Sequence, residues 1–414
     1  MKELRFGYYD CIITPPVSIG LAGYEKRDVH GFGNSGVIDE LYARALSLKS
    51  GNIQLIIITV DVCLLDENTA DIIREKVAEK LMIPVDNVML NVSHTHSGPR
   101  TMIDPSNSDS MESRTIKAYM AEMAAKIVSI CSQASAISLK GMVYSTTFTA
   151  SVGYNRRYTI VNENGNDGIK MLFSLWWNPG HETNGVVDNN IPVLVVERVD
   201  EKDYDSYFSQ SGYDRIVIFN VPAHPVVLGE DSRYVSADYP GATRRCIEST
   251  LGNGTRAMFL LGACGNVNPF FACQNNPKAV EILGNAIGYG ICASLSRRRE
   301  IEFDGLNAES EIIKPRDGVH DKRVVTQVFR IGKSVISAIS CECFTELGIR
   351  IRNGSGFDQT LVAANSNGGC GYIPDREAFK TAGGYELQSA ADSGFDEDLL
   401  DKIADSVTGI LNRI

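Results

Sequence analysis

Two histidines, His94 and His96, stand two residues apart directly after an apolar run at residues 88–90 that is typical of a buried strand. In an extended backbone, residues at i and i+2 point to the same side, so both imidazoles would face one site. A glycine and a proline at positions 98 and 99 then predict a turn. Paired imidazoles at a strand end indicate either a metal site or an acid/base site. Two histidines with ordinary hydrogen bonds are the alternative.

Other predicted strands also end in residues that can bind a metal ion. His224 and Glu342 each follow an apolar run, and Cys370 lies in a glycine-rich segment after another. In open α/β sheets, ligands lie beyond the carboxyl ends of the strands. Two histidines and a carboxylate that leave one position open form a catalytic zinc set. The pattern therefore predicts one zinc ion.

These residues also have plainer interpretations. His224 is alternatively a lone histidine before a proline, and Glu342 a solvated carboxylate at a strand edge. Cys341 and Cys343 would share one face of the strand while Glu342 takes the other, so a thiolate pair is a rival metal-binding set. Buried thiols without a metal are the more common outcome for such cysteines. The other histidines lie in predicted loops and are interpreted as surface residues: His30, His181 and His320.

A candidate anion binder lies in the segment 154–158. Arg156 there is suited to holding a substrate carboxylate or stabilising an oxyanion, and a solvated arginine on a hairpin is the alternative. Other catalytic signatures are missing from the sequence. Ser97 is not part of a nucleophile elbow, and neither a P-loop nor a dinucleotide-binding fingerprint is present.

The elements that must position these residues are typical of an α/β protein. An apolar run at residues 54–61, a helical repeat over 67–82 and the strand at 87–92 predict a βαβ unit. The segment 5–45 has little helical periodicity, and residues 14–16 and 20–24 carry loop signals. Without repeats or a linker, residues 1–414 are expected to form one domain of mixed or largely parallel sheets with flanking helices, its site at the carboxyl ends of the strands. Further helices are expected near 111–133, 238–251, 276–296 and 395–412, and further strands at 138–177 as hairpins and near 192–198, 215–221, 257–262, 323–330, 334–341 and 359–364.

Composition restricts the partners. The net charge is −11 and no large basic block occurs, which argues against nucleic acid and anionic membrane surfaces. The sequence contains no run of ~18 apolar residues, so no membrane span is predicted. A small-molecule substrate is expected, with homo-oligomerisation left open. The charged start lacks an apolar signal core, so a cytoplasmic location with ten reduced cysteines is expected.

The stretch 93–99, Ser-His-Thr-His-Ser-Gly-Pro, resembles the histidine signature of the neutral/alkaline non-lysosomal ceramidase family. Further stretches resemble that family's motifs in the same order, over nearly the whole chain. They are residues 13–16, 23–24, 36–46, 154–156, 223–225, 236–241, 265–269, 342–345, 371–374 and 384–386.

This resemblance implies an amide hydrolase with one catalytic zinc ion. The zinc ligands would be His94, His224 and Glu342, while His96 and Arg156 would line the substrate site. The matching motifs also place four further residues among those expected to contact substrate, namely Tyr154, Asn266, Tyr372 and Phe379.

The chain departs from the family's pattern at the site. The zinc-binding tyrosine of the family corresponds to Gly369, so Cys370, Tyr372 or water is expected to take its place. The family's active-site serine corresponds to Asn268 and its aspartate to Asn266. The chain also ends where the family's catalytic domain ends, so the C-terminal β-sandwich of true ceramidases is expected to be absent. Ceramide is therefore not the expected substrate.

Three functions follow from these observations. The first is a zinc-dependent amidase in which His96 acts as general base and then as acid, and Arg156 and Asn268 hold the substrate or the oxyanion. The second is a metal-dependent esterase, lactonase or hydrolase of a sugar derivative, for which the same residues would serve. The third is a non-catalytic binding protein on a degenerate scaffold, an interpretation that the changes at Gly369 and Asn268 favour.

Overall fold

The structure is a computed structural model and describes residues 2–25, 27, 33–103, 106, 108–160, 168–173, 185–199, 214–252, 254–315, 322–381 and 383–414. The strands are β1 Leu4–Ile12, β2 Tyr42–Ser50, β3 Ile53–Val60, β4 Val88–Val92, β5 Leu139–Thr149, β6 Gly153–Asn155, β7 Arg157–Ile160, β8 Gly168–Met171, β9 Asn190–Arg198, β10 Arg215–Val221, β11 Thr255–Leu261, β12 Val267–Pro269, β13 Arg299–Glu300, β14 Leu306–Ile313, β15 Val324–Ile331, β16 Ser334–Ile339, β17 Glu342–Cys343, β18 Gln359–Ala363 and β19 Tyr372–Ile373. The helices are α1 Glu67–Leu81, α2 Met111–Ala136, α3 Asp238–Leu251, α4 Pro277–Ser294, α5 Thr345–Gly354, α6 Arg376–Lys380, α7 Tyr385–Asp392 and α8 Leu399–Leu411.

Two sheets organise the described part of the chain. The larger has the strand order β11-β10-β9-β5-β1-β2-β3-β4, and the smaller has the order β14-β15-β16-β18. A core layer lies between them, because Phe6 and Ile57 of the larger sheet belong to one buried cluster with Phe329, Ile336 and Leu361 of the smaller. Helices cover the outer faces, with α1 and α2 packed on one part of the larger sheet.

The predicted βαβ unit is confirmed. β3 and β4 pair in parallel, and α1 connects them. α1 begins where the Asp66 side chain accepts from the amide of Thr69, and it ends at Met82 in a left-handed conformation. Ile73 and Val77, which carry the helical repeat, are buried against the sheet.

The prediction of mixed sheets with flanking helices is confirmed, while the alternative of largely parallel sheets is wrong. Parallel pairing joins β3 to β4, β10 to β11 and β16 to β18, and the long pairs between β1, β2, β5 and β9 are antiparallel. The loop signals at residues 14–16 and 20–24 lie between two long strands, β1 and β2. β1 and β2 pair over eight residues each, and their Gly, Arg and Tyr content hides the strand pattern.

The helix at Pro277–Arg297 is, among the described residues, the one segment that is long and apolar enough to cross a bilayer. Half of its apolar window is buried. Gly284 and Gly288 let it approach α3 closely, since a Cβ on Gly284 would lie 2.4 Å from the Cβ of Ala242. We therefore interpret this segment as a helix of the protein core.

Buried asparagines join the strand ends of the two sheets. The side chain of Asn220, at the end of β10, donates to Leu260 O at 3.0 Å and accepts from Val362 N at 3.1 Å. Asn91, at the end of β4, donates to Ala364 O at 2.7 Å and accepts from Leu261 N at 3.1 Å. These amides hold the carboxyl ends of β4, β10, β11 and β18 together, which brings the loops after them to one place.

Replacement of Asn220 by leucine, which has a similar volume, should lower the free energy of unfolding by about 2–4 kcal/mol, because two buried backbone groups lose their partners. Urea denaturation measures this, with Asn412→Leu at the exposed chain end as the matched control. A variant as stable as the wild type would show that these amides do not hold the sheets together.

Candidate metal centre

Three strand-end residues, His94, His224 and Glu342, come together with their ligand atoms within 4.8 Å of one another. His94 follows β4 with φ of 62°, a backbone conformation that is uncommon for a non-glycine residue, and its amide donates to Val62 O at 3.0 Å. His224 follows β10, and its amide donates to Val267 O at 3.1 Å. Glu342 opens β17, which pairs in parallel with β19.

The distances within this set suit a tetrahedral ion. Glu342 Oε2 lies 3.2 Å from His94 Nε2 and 3.2 Å from His224 Nε2. Zinc bonds of about 2.0–2.2 Å in tetrahedral geometry place neighbouring ligand atoms roughly 3.3–3.5 Å apart. Two imidazoles and one carboxylate therefore fit a zinc ion and leave one coordination position for a further ligand.

Backbone carbonyls fix the tautomers of both histidines. The Nδ1–H of His94 donates to Cys63 O at 2.6 Å, and the Nδ1–H of His224 donates to Val267 O at 3.0 Å. A neutral imidazole that donates from Nδ1 carries its lone pair on Nε2. Both lone pairs consequently point toward Glu342, which is the arrangement that supporting hydrogen bonds give to metal-binding histidines.

A second possible ligand group, Cys63 with His94 and His96, overlaps the first. Cys63 Sγ lies 3.9 Å from His94 Nδ1. That nitrogen already donates to the Cys63 carbonyl oxygen, so it has no lone pair for a metal ion. The group of His94, His224 and Glu342 is therefore the better metal site.

His96 differs from the other two histidines. Its Nε2 lies 3.3 Å from His94 Nε2, while its Nδ1 is buried and has no hydrogen-bond partner among the described residues. Gly23 packs against this ring, because a Cβ there would lie 2.6 Å from His96 Nδ1. The contact with His94 directs Nε2 of His96 toward the metal set, while the buried Nδ1 has no acceptor that would hold a proton there.

The ionisable groups of the site shift in different directions. Burial would lower the pKa of His94, but the carboxylate of Glu342 beside it holds that pKa well above its usual range. Burial would raise the pKa of Glu342, but the imidazoles of His94 and His224 hold it well below its usual range. Burial lowers the pKa of His224 to about 4, with the charge of Arg156 adding to the effect. Burial and the neighbouring imidazoles also hold the pKa of His96 well below its usual range. At neutral pH, Glu342 is thus ionised while His224 and His96 are neutral.

Arg156 is buried, with 3% of its surface exposed, so its interpretation as a solvated arginine is wrong. Each guanidinium nitrogen donates within the protein. Nε donates to Glu386 Oε1 at 3.1 Å, Nη1 to Asn268 Oδ1 at 3.3 Å and Nη2 to Gly265 O at 2.6 Å. The structure therefore places Arg156 beside the metal set as a fixed positive charge.

Two of the expected replacements for the family's tyrosine lie in different surroundings. Cys370 is in a disulfide with Cys341, so the structure does not place its thiolate in the metal set, contrary to its assignment as a ligand. The expectation that all ten cysteines are reduced is corrected for this pair, and the other eight are free. Tyr372 instead pairs with Glu342 between β19 and β17, and burial together with the nearby carboxylate raises the pKa of its hydroxyl well above the usual range.

Gly369 packs tightly against another part of the chain. A Cβ at this position would lie 2.3 Å from Leu64 Cδ1. The space that a tyrosine at position 369 would need is thus occupied by Leu64.

Asn266 and Asn268 are both buried and both have partners within the protein. Asn266 donates to Glu346 Oε2 at 2.9 Å and accepts from Thr345 N at 3.0 Å. Asn268 donates to Phe173 O at 3.3 Å in addition to accepting from Arg156. Asn266 therefore supports the surrounding backbone, while Asn268 connects Arg156 to the segment at Phe173.

The remaining predicted site residues lie farther into the protein. Tyr154 is buried and its hydroxyl donates to Leu172 O at 3.1 Å, which makes it part of the wall behind Arg156. Phe379 packs against the main core cluster. His30, His181 and His320 lie outside the described residues.

Sequence reasoning missed Glu386. This residue is fully buried and bonds Arg156 and also Arg157, whose Nη1 donates to its Oε2 at 2.8 Å. The signal that could have found it was the pair of consecutive arginines, because buried guanidinium groups require a counter-charge. The counter-charge lies about 230 residues along the chain, within the motif stretch 384–386, but nothing in the sequence indicated that it pairs with these arginines.

Glu346 predicts a pH dependence of stability. Burial raises its pKa from 4.5 to about 7, so the folded protein holds this proton more tightly than the unfolded chain does. Stability from this group is therefore present at low pH and is lost as the pH rises through about 7, with a total effect of about 1–3 kcal/mol. Glu346→Gln should gain that amount of stability relative to the wild type between about pH 5 and pH 8.

Urea denaturation at both pH values checks this prediction, with the exposed Glu300→Gln as control. The same difference between Glu346→Gln and the wild type at both pH values would contradict it.

Comparison with known proteins gives a clear structural match and no sequence match. No family model and no curated protein matches the chain. Among solved structures, neutral ceramidase from Pseudomonas aeruginosa superposes with a TM-score of 0.75 at 16% identity, over 100% of this chain and 75% of that chain. A ceramidase complexed with C2 superposes with a TM-score of 0.73 at 15% identity, over 100% of this chain and 76% of that one.

These superpositions show that the chain has a neutral-ceramidase-like fold. The resemblance that the histidine signature and the ordered motifs predict is thereby confirmed at the level of the fold.

Proposed function

We propose that this chain is a metal-dependent hydrolase that cleaves an amide bond and uses one zinc ion. The observation that carries the proposal is the convergence of His94 Nε2 and His224 Nε2 on Glu342, with both imidazoles oriented by backbone carbonyls. Its fold neighbours are ceramidases, and the motif resemblance points to amide hydrolysis.

A zinc ion held by these three residues would polarise the substrate carbonyl and activate a water molecule. His96 stands next to the ligand set and is neutral at neutral pH, which suits a general base. Its Nε2 lies on the side of the metal set, so a proton that it takes from water there would be released to the leaving amine from the same nitrogen.

Arg156 would stabilise the negative charge that develops on the carbonyl oxygen. Its donors are bound to Glu386, Asn268 and Gly265, so it acts as a preorganised charge instead of closing on a substrate carboxylate. Asn268 cannot exchange protons, and its contacts give it a positioning role. We do not extend the proposal to ceramide, because Gly369, Asn266 and Asn268 differ from the family's pattern.

The direct test is metal content together with activity. Purified protein should contain close to one equivalent of zinc, lose hydrolysis of an amide panel on chelation and regain it when zinc is added. Hydrolysis that persists after complete removal of metal would overturn the proposal. A protein that retains zinc but hydrolyses neither amides nor esters would favour the binding-protein interpretation, and ester hydrolysis alone would favour the esterase.

A further inference from the structure

A row of three aromatic rings leads from Glu342 to the protein surface. Tyr372 is the register partner of Glu342 in the parallel pair of β19 and β17. Its ring centroid lies 5.5 Å from that of Tyr385, at an interplanar angle of 86°. Tyr385 in turn stacks on Phe173 at 6.2 Å and 19°. The row therefore begins at the proposed metal centre and continues outward.

The two outer rings are each a little less than half exposed. Phe173 is 49% exposed and Tyr385 is 41% exposed. Contiguous exposed apolar surface, in contrast to single exposed side chains, is a feature of ligand-binding and partner-binding sites. Phe173 is also anchored to the site, because its carbonyl oxygen accepts from Asn268 Nδ2 at 3.3 Å.

Arg156 lies behind these rings. Its guanidinium carbon is 5.1 Å from the centroid of Tyr385 and 5.6 Å from that of Tyr372. Each nitrogen of Arg156 already donates to an internal acceptor, so its guanidinium group is not free to bind a substrate carboxylate through two nitrogens at this surface. A substrate group that rests here meets ring faces and ring edges.

We propose that Tyr372, Tyr385 and Phe173 form an aromatic subsite that binds a planar aromatic group of the substrate next to the bond that is cleaved. The proposal rests on the proposed hydrolase function and narrows it to amides that carry an aryl group. It adds Tyr385 and Phe173 to the residues that determine specificity.

Ring geometry separates an aromatic ligand from an aliphatic one. Offset-stacked and edge-to-face pairs gain attraction from complementary ring charges in addition to the area that they bury. A cyclohexyl group buries at least as much apolar area as a phenyl group but lacks that complementarity. Burial alone thus predicts equal or tighter binding of cyclohexyl compounds, whereas the aromatic subsite predicts tighter binding of phenyl compounds.

The test uses hydroxamates, which bind a zinc ion through one end and present a ring at the other. Phenyl and cyclohexyl hydroxamates with matched linkers of zero to two methylene groups are titrated into the zinc-loaded protein by calorimetry. For at least one linker, the phenyl compound should bind about three- to tenfold more tightly than its cyclohexyl partner.

Variants of the aromatic row test whether these rings cause the preference for phenyl over cyclohexyl compounds. Tyr385→Leu and Phe173→Leu keep an apolar side chain but remove the ring, so the preference should fall to roughly one while cyclohexyl binding changes little. Tyr289→Leu, at an exposed tyrosine on α4, should keep the wild-type preference.

Each outcome is decisive. Equal or tighter binding of every cyclohexyl compound, or an unchanged preference in both leucine variants, overturns the subsite. A protein that holds zinc but binds neither series also overturns it and leaves the proposed metal centre standing. A protein that holds no zinc at all overturns the proposed function, and the subsite with it.

Discussion

Replacement of His224 by alanine is expected to remove the proposed metal ion and to lower kcat/KM by more than about 100-fold. Loss of a residue that only supports a metal ligand already costs up to about 100-fold, and loss of the ligand itself should cost more. His224 is fully buried, and its Nε2 is 3.2 Å from Glu342 Oε2. Removing the ring leaves one imidazole and one carboxylate, which is too few protein ligands for a catalytic zinc site.

The matched control for this variant is His96→Ala. His96 belongs to the same short stretch as His94 but does not belong to the group that includes Glu342. His96→Ala should retain close to one equivalent of zinc while losing activity, whereas His224→Ala loses both. Elemental analysis beside steady-state kinetics separates the two roles. Full zinc content in His224→Ala, with folding verified by circular dichroism, would refute its assignment as a ligand.

Replacement of Glu386 by leucine is expected to lower the free energy of unfolding by about 3–5 kcal/mol, because it leaves two buried guanidinium groups without their counter-charge. Glu386 is fully buried between Arg156 and Arg157, which are 3% and 7% exposed. Urea denaturation gives the stability, and the exposed Glu377→Gln, which breaks a surface pair with Lys380, should change it by less than about 1 kcal/mol.

A triple variant, Arg156→Met, Arg157→Leu and Glu386→Leu, distinguishes the structural and the functional part of this network. Apolar replacement of a whole buried ionic group often restores stability. We therefore expect the triple variant to recover most of the lost stability but not the activity, since the fixed charge of Arg156 is gone. Recovery of both would show that Arg156 has no part in the reaction.

The parts of the fold that the sequence predicts well are those that depend on local patterns. The unit β3-α1-β4 depends on one apolar run and one helical repeat, both visible within a short window. The pairing of β1 with β2 is different, because Gly7, Arg44 and the neighbouring polar residues are buried only through contacts with distant elements. A local sequence pattern does not show which distant element a residue will contact in the folded protein.

The same division applies to the site. His94, His224 and Glu342 each follow an apolar strand, and the carboxyl ends of strands in one α/β fold tend to meet, so these three residues could be predicted to lie together. Glu386 and the pairing of Cys341 with Cys370 depend on helices and loops whose approach has no local signal.

The hydrogen bonds to Cys63 O and Val267 O have a consequence for how such a protein can change over time. Both acceptors are main-chain atoms, so they persist whatever side chains stand at positions 63 and 267. The orientation of the two imidazoles therefore does not depend on which side chains line the pocket. Residues such as those at positions 266, 268 and 369 can therefore differ while the two imidazoles keep their orientation, so that substitutions around the site need not disturb the proposed metal ligands.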